Sequence, residues 1–177
     1  MIQGLEVRAA AEMRAAGGRR LEGYAAIFDA PARIADFRET IRPGAFRASL
    51  ASGADVVALV DHDPGRLLAR TRSGTLRLAE DQRGLAFDLD LPDTTLGRDL
   101  LALAERRDLG GMSFGFRVTD EAWPTRTERE LRAVALVEVS VVHAFPAYEQ
   151  TTVSARVRPS GDAGTSLLRL RLLAAGV

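Results

Sequence analysis

From Leu21 onward the chain is written in short apolar or alternating runs parted by turn residues. The most regular is Gly84 to Leu91, where Leu85, Phe87, Leu89 and Leu91 recur with the period of two of a half-buried strand. Leu21 to Phe28, Asp55 to Val60, Thr75 to Ala79 and Met112 to Val118 predict further strands. Leu131 to Val142 predicts a longer one, whose run from Ala133 is apolar on both faces except at Glu138 and Ser140, as in a central buried strand. Pro146 stops it, and Thr151 to Val157 adds a final candidate. Helical spacing is clear only from Thr94 to Arg107. There Leu96, Leu100, Leu103 and Ala104 share a face, Thr95 offers a cap, and Arg106-Arg107 suit the C-terminal end. Pro43 to Leu50 predicts a short helix with proline at its start.

Residues 1–19, rich in Ala, Glu and Arg and broken at Gly17-Gly18, read as a loosely ordered leading segment. Residues 20–158 form the expected domain, and 159–177 a linker with a short tail. In that tail Leu167 to Leu173 fits a strand or a short helix equally. Strand-like runs outnumber helical ones, which predicts a β-rich α+β fold, a barrel or sandwich with a few helices around it.

Composition narrows the function. Acidic and basic residues balance at 24 each, so no general affinity for nucleic acid or an anionic membrane is expected. No apolar run approaches the length of a spanning helix, and Glu6, Arg8, Glu12 and Arg14 break up the apolar stretch a secretory leader would need. The absence of cysteine removes disulfides, thiolate metal sites and cysteine nucleophiles. The two histidines, His62 and His143, have no metal-ligand spacing, and without lysine there is no phosphate-binding P-loop. Neither metal nor cofactor is expected. Every basic residue is arginine and asparagine is missing too, a bias that points to a GC-rich coding sequence.

Serine chemistry survives these exclusions. Gly111-Met112-Ser113-Phe114-Gly115 matches GxSxG, with small neighbours that let a carbonyl approach the hydroxyl. A turn serine entering a strand explains the same five residues. The setting is not that of an α/β-hydrolase elbow, because Ser113 follows a helix and opens a strand, and His62 precedes it. His62 stands at the end of an apolar strand, before the turn-forming Asp63-Pro64-Gly65. It reads either as a surface histidine between aspartates or as a general base on a rigid mount. Glu138 needs a partner in its apolar strand, either an arginine or an imidazole that it orients.

Five ordered blocks then stand together: Gly23 to Phe28, Ile41 to Phe46, Asp61-His62-Asp63 with Leu68 to Thr71, Gly111 to Phe116, and Leu136 to Val142 with Pro146-Ala147-Tyr148. In this order they resemble the prohead (capsid maturation) serine proteases of tailed bacteriophages. The bias against lysine and the short length also fit a gene transfer agent or prophage. The resemblance implies a fold like the herpesvirus assembly protease, a β-barrel surrounded by a few helices. It implies an endopeptidase that removes the N-terminal scaffolding segment of the major capsid protein inside the prohead, in the bacterial cytoplasm, and then degrades itself. The implied partners are that capsid protein, the portal and further copies of the chain.

The same resemblance places the histidine on His62 and the serine on Ser113. Related viral proteases use a second histidine as third member, which brings His143 into view. Strand parity favours Glu138, since the two positions are five apart and so point to opposite faces, and Glu138 shares its face with Ser140. Backbone N–H groups at Gly111 and Met112, with Arg132 in support, are candidates for holding an oxyanion. The alternative is a catalytically inactive capsid-assembly partner with the same fold.

Overall fold

The computed structural model describes residues 4–10 and 12–143. In chain order they form β1 (Glu6–Ala10), β2 (Glu12–Ala15), β3 (Arg20–Ile27), β4 (Ala32–Ile34), β5 (Phe37–Ile41), α1 (Arg47–Ala51), β6 (Val57–Val60), β7 (Asp63–Arg70), β8 (Leu76–Glu80), β9 (Gly84–Asp90), α2 (Thr95–Arg106), β10 (Gly111–Thr125) and β11 (Glu128–Val142). The expected strand at Thr151 to Val157, the linker and the tail lie outside the described residues.

The frame is the long antiparallel pair β10 and β11, in which Ser113 faces Ser140 and Gly115 faces Glu138. On its other side β11 meets two parallel partners, β5 along residues 128–131 and β6 along residues 138–141. The stretch between would leave backbone groups of a buried strand unpaired, at a cost comparable to lost hydrogen bonds. The segment around α1 fills it: the Ala45 carbonyl accepts from Val134 N (2.9 Å), and Ser49 Oγ accepts from Leu136 N (2.9 Å). With β1 on the far edge of β10, β4 beyond β5 and β7 beyond β6, seven strands make the first sheet. The second sheet runs β2-β3-β9-β8.

Among the described residues the architecture is strand-rich with two helices, as the pattern predicts. The hydrogen bonding gives two sheets and no closed barrel among the described residues. The core holds Leu21, Leu85, Phe87 and Leu89 from the second sheet and Phe114, Phe116, Val139 and Val141 from the first. A run of rings ties it together: Phe28 and Phe46 (centroids 6.0 Å apart), Phe46 and Phe114 (5.6 Å), and Phe114 and Phe116 (5.2 Å). In α2, Leu100 is buried and Leu96 and Ala104 pack against the core. Its cap is Thr94 rather than Thr95, and the Thr94 hydroxyl accepts from Gly97 N at 3.2 Å.

Two expectations are corrected. Residues 6–10 and 12–15 are not a loose leader: β1 pairs with β10 and β2 with β3. The misreading has a physical source, because the side of β1 that is buried carries Glu6 and Arg8, which imitate a solvated pattern. Asp63-Pro64-Gly65 is not the turn after β6 but the first part of β7. The reversal is made by Asp61 and His62, between the paired residues Val60 and Asp63. Both have positive φ (51° and 61°), as the central pair of a type I′ hairpin requires.

Candidate active site

Every side chain of the candidate site is mounted on the first sheet or on the hairpin that borders it. Ser113 and Ser140 face each other across β10 and β11, and Glu138 lies one alternation along the same face. Because β6 runs parallel to β11, its end delivers the Asp61-His62 turn beside Ser140 and Val141. Residues other than glycine pay for a left-handed conformation, and such strain persists only where the surroundings enforce it. Here three hydrogen bonds do so: Asp61 N to the Val141 carbonyl (2.9 Å), His62 N to Ser140 Oγ (3.3 Å), and His143 N to Asp61 Oδ1 (3.0 Å).

The turn aims the His62 ring at Glu138, with Nδ1 2.7 Å from Oε1. Glu138 is 5% exposed, and its other carboxylate oxygen accepts from Ser140 Oγ. Among the described residues no arginine pairs with it. Gly115 explains the second glycine of GxSxG: a Cβ there would stand 2.4 Å from Glu138 Oε1, so the position is empty to admit the carboxylate. Gly111, at φ 127°, opens β10 in a backbone conformation that side chains disfavour.

His143, the alternative third member, is turned to another task. Its Nδ1 lies 2.6 Å from Asp61 Oδ2, and Arg66 reaches the same oxygen at 3.0 Å. Burial works against the charge of Asp61, but the hydrogen bonds from the His143 backbone and ring hold its carboxyl below the ordinary range. Arg132 is exposed and rests on Glu130 (3.1 Å), so the structure does not bring it to Ser113. Met112 is buried, its backbone flanked by Ala10 on one side and Val141 on the other.

Sequence reading missed the residue that receives the Ser113 hydroxyl's hydrogen bond. Ser113 is 1% exposed, and its hydroxyl donates to the Arg8 carbonyl of β1 at 2.7 Å. No hydrogen bond joins it to His62 among the described residues. A backbone carbonyl carries no side-chain signature, so only the register of β1 reveals this contact. The role of Ser140, which accepts from the His62 backbone and donates to Glu138, was visible in the sequence only as polarity on the right face.

Ser113 and the buried Glu138 thus share one sheet, and a strained turn at its border sets the His62 ring on that carboxylate. The model of the caudovirus prohead serine protease family matches residues 3–163. The chain belongs to that family. The match takes in both sheets and all three residues, and it supports a capsid maturation protease at the family level. Neither a curated protein nor a solved structure matches the chain. No helix of the described residues in this family member is long and apolar enough to cross a membrane.

Proposed function

We propose that the chain is a serine endopeptidase of capsid maturation with Ser113 as nucleophile, His62 as base and Glu138 as the group that orients it. The observation that carries this reading is the buried carboxylate on His62 Nδ1. A proton held there between Nδ1 and Glu138 leaves the Nε2 lone pair as the acceptor for the serine proton. Ser113 turns from the Arg8 carbonyl toward His62, gives up its proton to Nε2, and attacks the scissile carbonyl to form an acyl-enzyme. The imidazolium, stabilised by Glu138, protonates the leaving amine, and water then returns through the same base. Of the adjacent backbone N–H groups at Gly111 and Met112, which point to opposite neighbours, the one that faces away from β11 is the oxyanion donor of this reading.

The substrate is the N-terminal scaffolding segment of the major capsid protein, cut inside the prohead in the host cytoplasm, and the protease also cuts itself. A herpesvirus-protease-like barrel belongs to the same reading. The support for it is that β1 edges the first sheet while β2, one residue further on, edges the second.

Ser113→Ala removes the hydroxyl without adding bulk. Co-expressed with its capsid protein, this variant should fold yet leave the capsid protein at full mass, while the parent chain shortens it. Mature capsid termini in the variant would refute the nucleophile. A parent chain that neither shortens the capsid protein nor reacts with a fluorophosphonate would make the chain an inactive assembly partner.

A further inference from the structure

Strand β1 lies where it blocks the proposed chemistry. Its register, Arg8 on Phe114, Ala9 on Ser113 and Ala10 on Met112, runs it directly past the nucleophile. Its Arg8 carbonyl accepts the hydrogen bond of the Ser113 hydroxyl, and the strand helps to bury that hydroxyl. It also uses the outer edge of β10. In an antiparallel strand alternate N–H groups point to opposite neighbours, so those of β10 facing away from β11 are taken by β1. A peptide cannot dock beside Ser113 by strand addition, nor those N–H groups serve an oxyanion, while β1 stays.

The fastening of β1 suits a removable strand. It is five residues long, and among the described residues β10 is its only sheet partner. Ala9 is exposed, and beyond the ladder to β10 the strand is fastened by the charges of Glu6 and Arg8. Arg8 places Nε 2.6 Å and one terminal nitrogen 2.9 Å from the two Glu39 oxygens, and lies over the Phe116 ring. Glu6 pairs with Arg129 at 2.7 Å. When β1 leaves, Glu6 and Arg8 go with it, and Arg129 remains with Glu39 and Glu121, one positive charge against two negative. The vacated edge therefore asks for a basic residue opposite Phe114.

Resting on the peptidase reading, we infer that β1 is a self-inhibitory strand that occupies the substrate edge of β10, and that the edge takes an extended peptide with a basic residue where Arg8 sits. Strand addition supplies the backbone bonds, and the Glu39–Arg129–Glu121 group supplies the selectivity. A site open only a small fraction of the time binds its ligand more weakly by that fraction.

The test combines two readouts. In Glu6→Ala/Arg8→Ala the fluorophosphonate labelling rate of Ser113 should rise roughly ten- to a hundredfold over the parent, as expected from releasing a mostly closed site. Arg8→Ala alone, which keeps the Glu6–Arg129 pair, serves if circular dichroism shows the double variant unfolded. A synthetic peptide of residues 4–10 should slow the released variant again, and the same peptide with Arg8→Glu should not. An unchanged rate in folded variants overturns the inference. The second readout needs no catalysis: in full-length Ser113→Ala, excess peptide should speed hydrogen exchange in residues 6–10 while 112–116 stay protected. If residues 6–10 keep their protection at saturating peptide, β1 is not an exchangeable occupant and the inference falls. Exchange of the strand without labelling of any variant would instead defeat the peptidase reading and leave the docking edge standing.

Discussion

Two regions of the first sheet each bury a carboxylate, and they treat it differently. Toward one end, Glu6 and Glu39 surround Arg129, which is 3% exposed and also reaches Glu121 at 2.6 Å. Arg129 lies 5.9 Å from the Trp123 ring and 6.0 Å from Phe37, so the cluster is walled by aromatic faces. Toward the other end, Glu138 is equally buried but among the described residues has only His62 and Ser140 as hydrogen-bond partners. The first group is neutralised by cations that never lose their protons. The second has a partner that can take and release one. A buried carboxylate saturated by arginine is a fastening, whereas one left to an imidazole is poised to stabilise a charge that appears only during turnover.

The largest stability effect is expected at the fastening. Arg129→Met strands carboxylates in a buried site and should cost about 3–5 kcal/mol, the usual penalty for breaking a buried ion pair from one side. Thermal unfolding read by circular dichroism would show it. A loss as large in Glu138→Gln would erase the distinction between the two regions.

Acid should loosen the same region next. Burial works against the charge of Glu6, but the hydrogen bond and charge of Arg129, with help from Arg8, hold its carboxyl below the ordinary value of 4.5. A carboxyl lowered in the folded state contributes stability that is complete above its unfolded value and is lost as pH falls through the folded one. Protection of the β1 amides should thus be steady above about pH 4.5 and decline below it, as hydrogen exchange would record. Loss of protection already between pH 7 and 5 would show that something other than Glu6 controls the strand. The smallest effect is expected at His143. It braces Asp61 rather than touching Glu138 or Ser113, so His143→Ala should lower turnover by less than about tenfold, the scale of a lost supporting contact.

What could be read from the sequence divides along the same line. Apolar period and length located β3, β9, β11 and α2 within a few residues, and the first half of β10 up to Val118, because each buries an apolar face. The strands that escaped are those whose pattern is polar or short. β1 buries charge, and β5 has the buried Glu39 at its centre. The β6–β7 reversal escaped because Asp61 and His62 adopt a conformation that sequences usually assign to Asn or Gly, and the strong turn residues Asp63-Pro64-Gly65 drew the expectation two positions onward. At the site, Glu138 was legible as the lone acid of an apolar strand, and the structure sets it on His62. Arg132 was misplaced because nothing in a linear pattern shows that Glu130, two residues away, holds it.

The central claim is that Glu138 acts through His62 and not through the stability of the sheet. It is tested most directly by single-turnover cleavage with Glu138→Gln, which keeps the shape and removes the anion, alongside the unfolding curve of the same sample. Loss of the orienting carboxylate in a serine-protease triad costs about 10⁴ in turnover, and the account predicts a loss on the order of 10² to 10⁴ in a chain that remains folded. Near-normal turnover in Glu138→Gln, beside a folded but inactive His143→Ala, would contradict it and make the second histidine the third member.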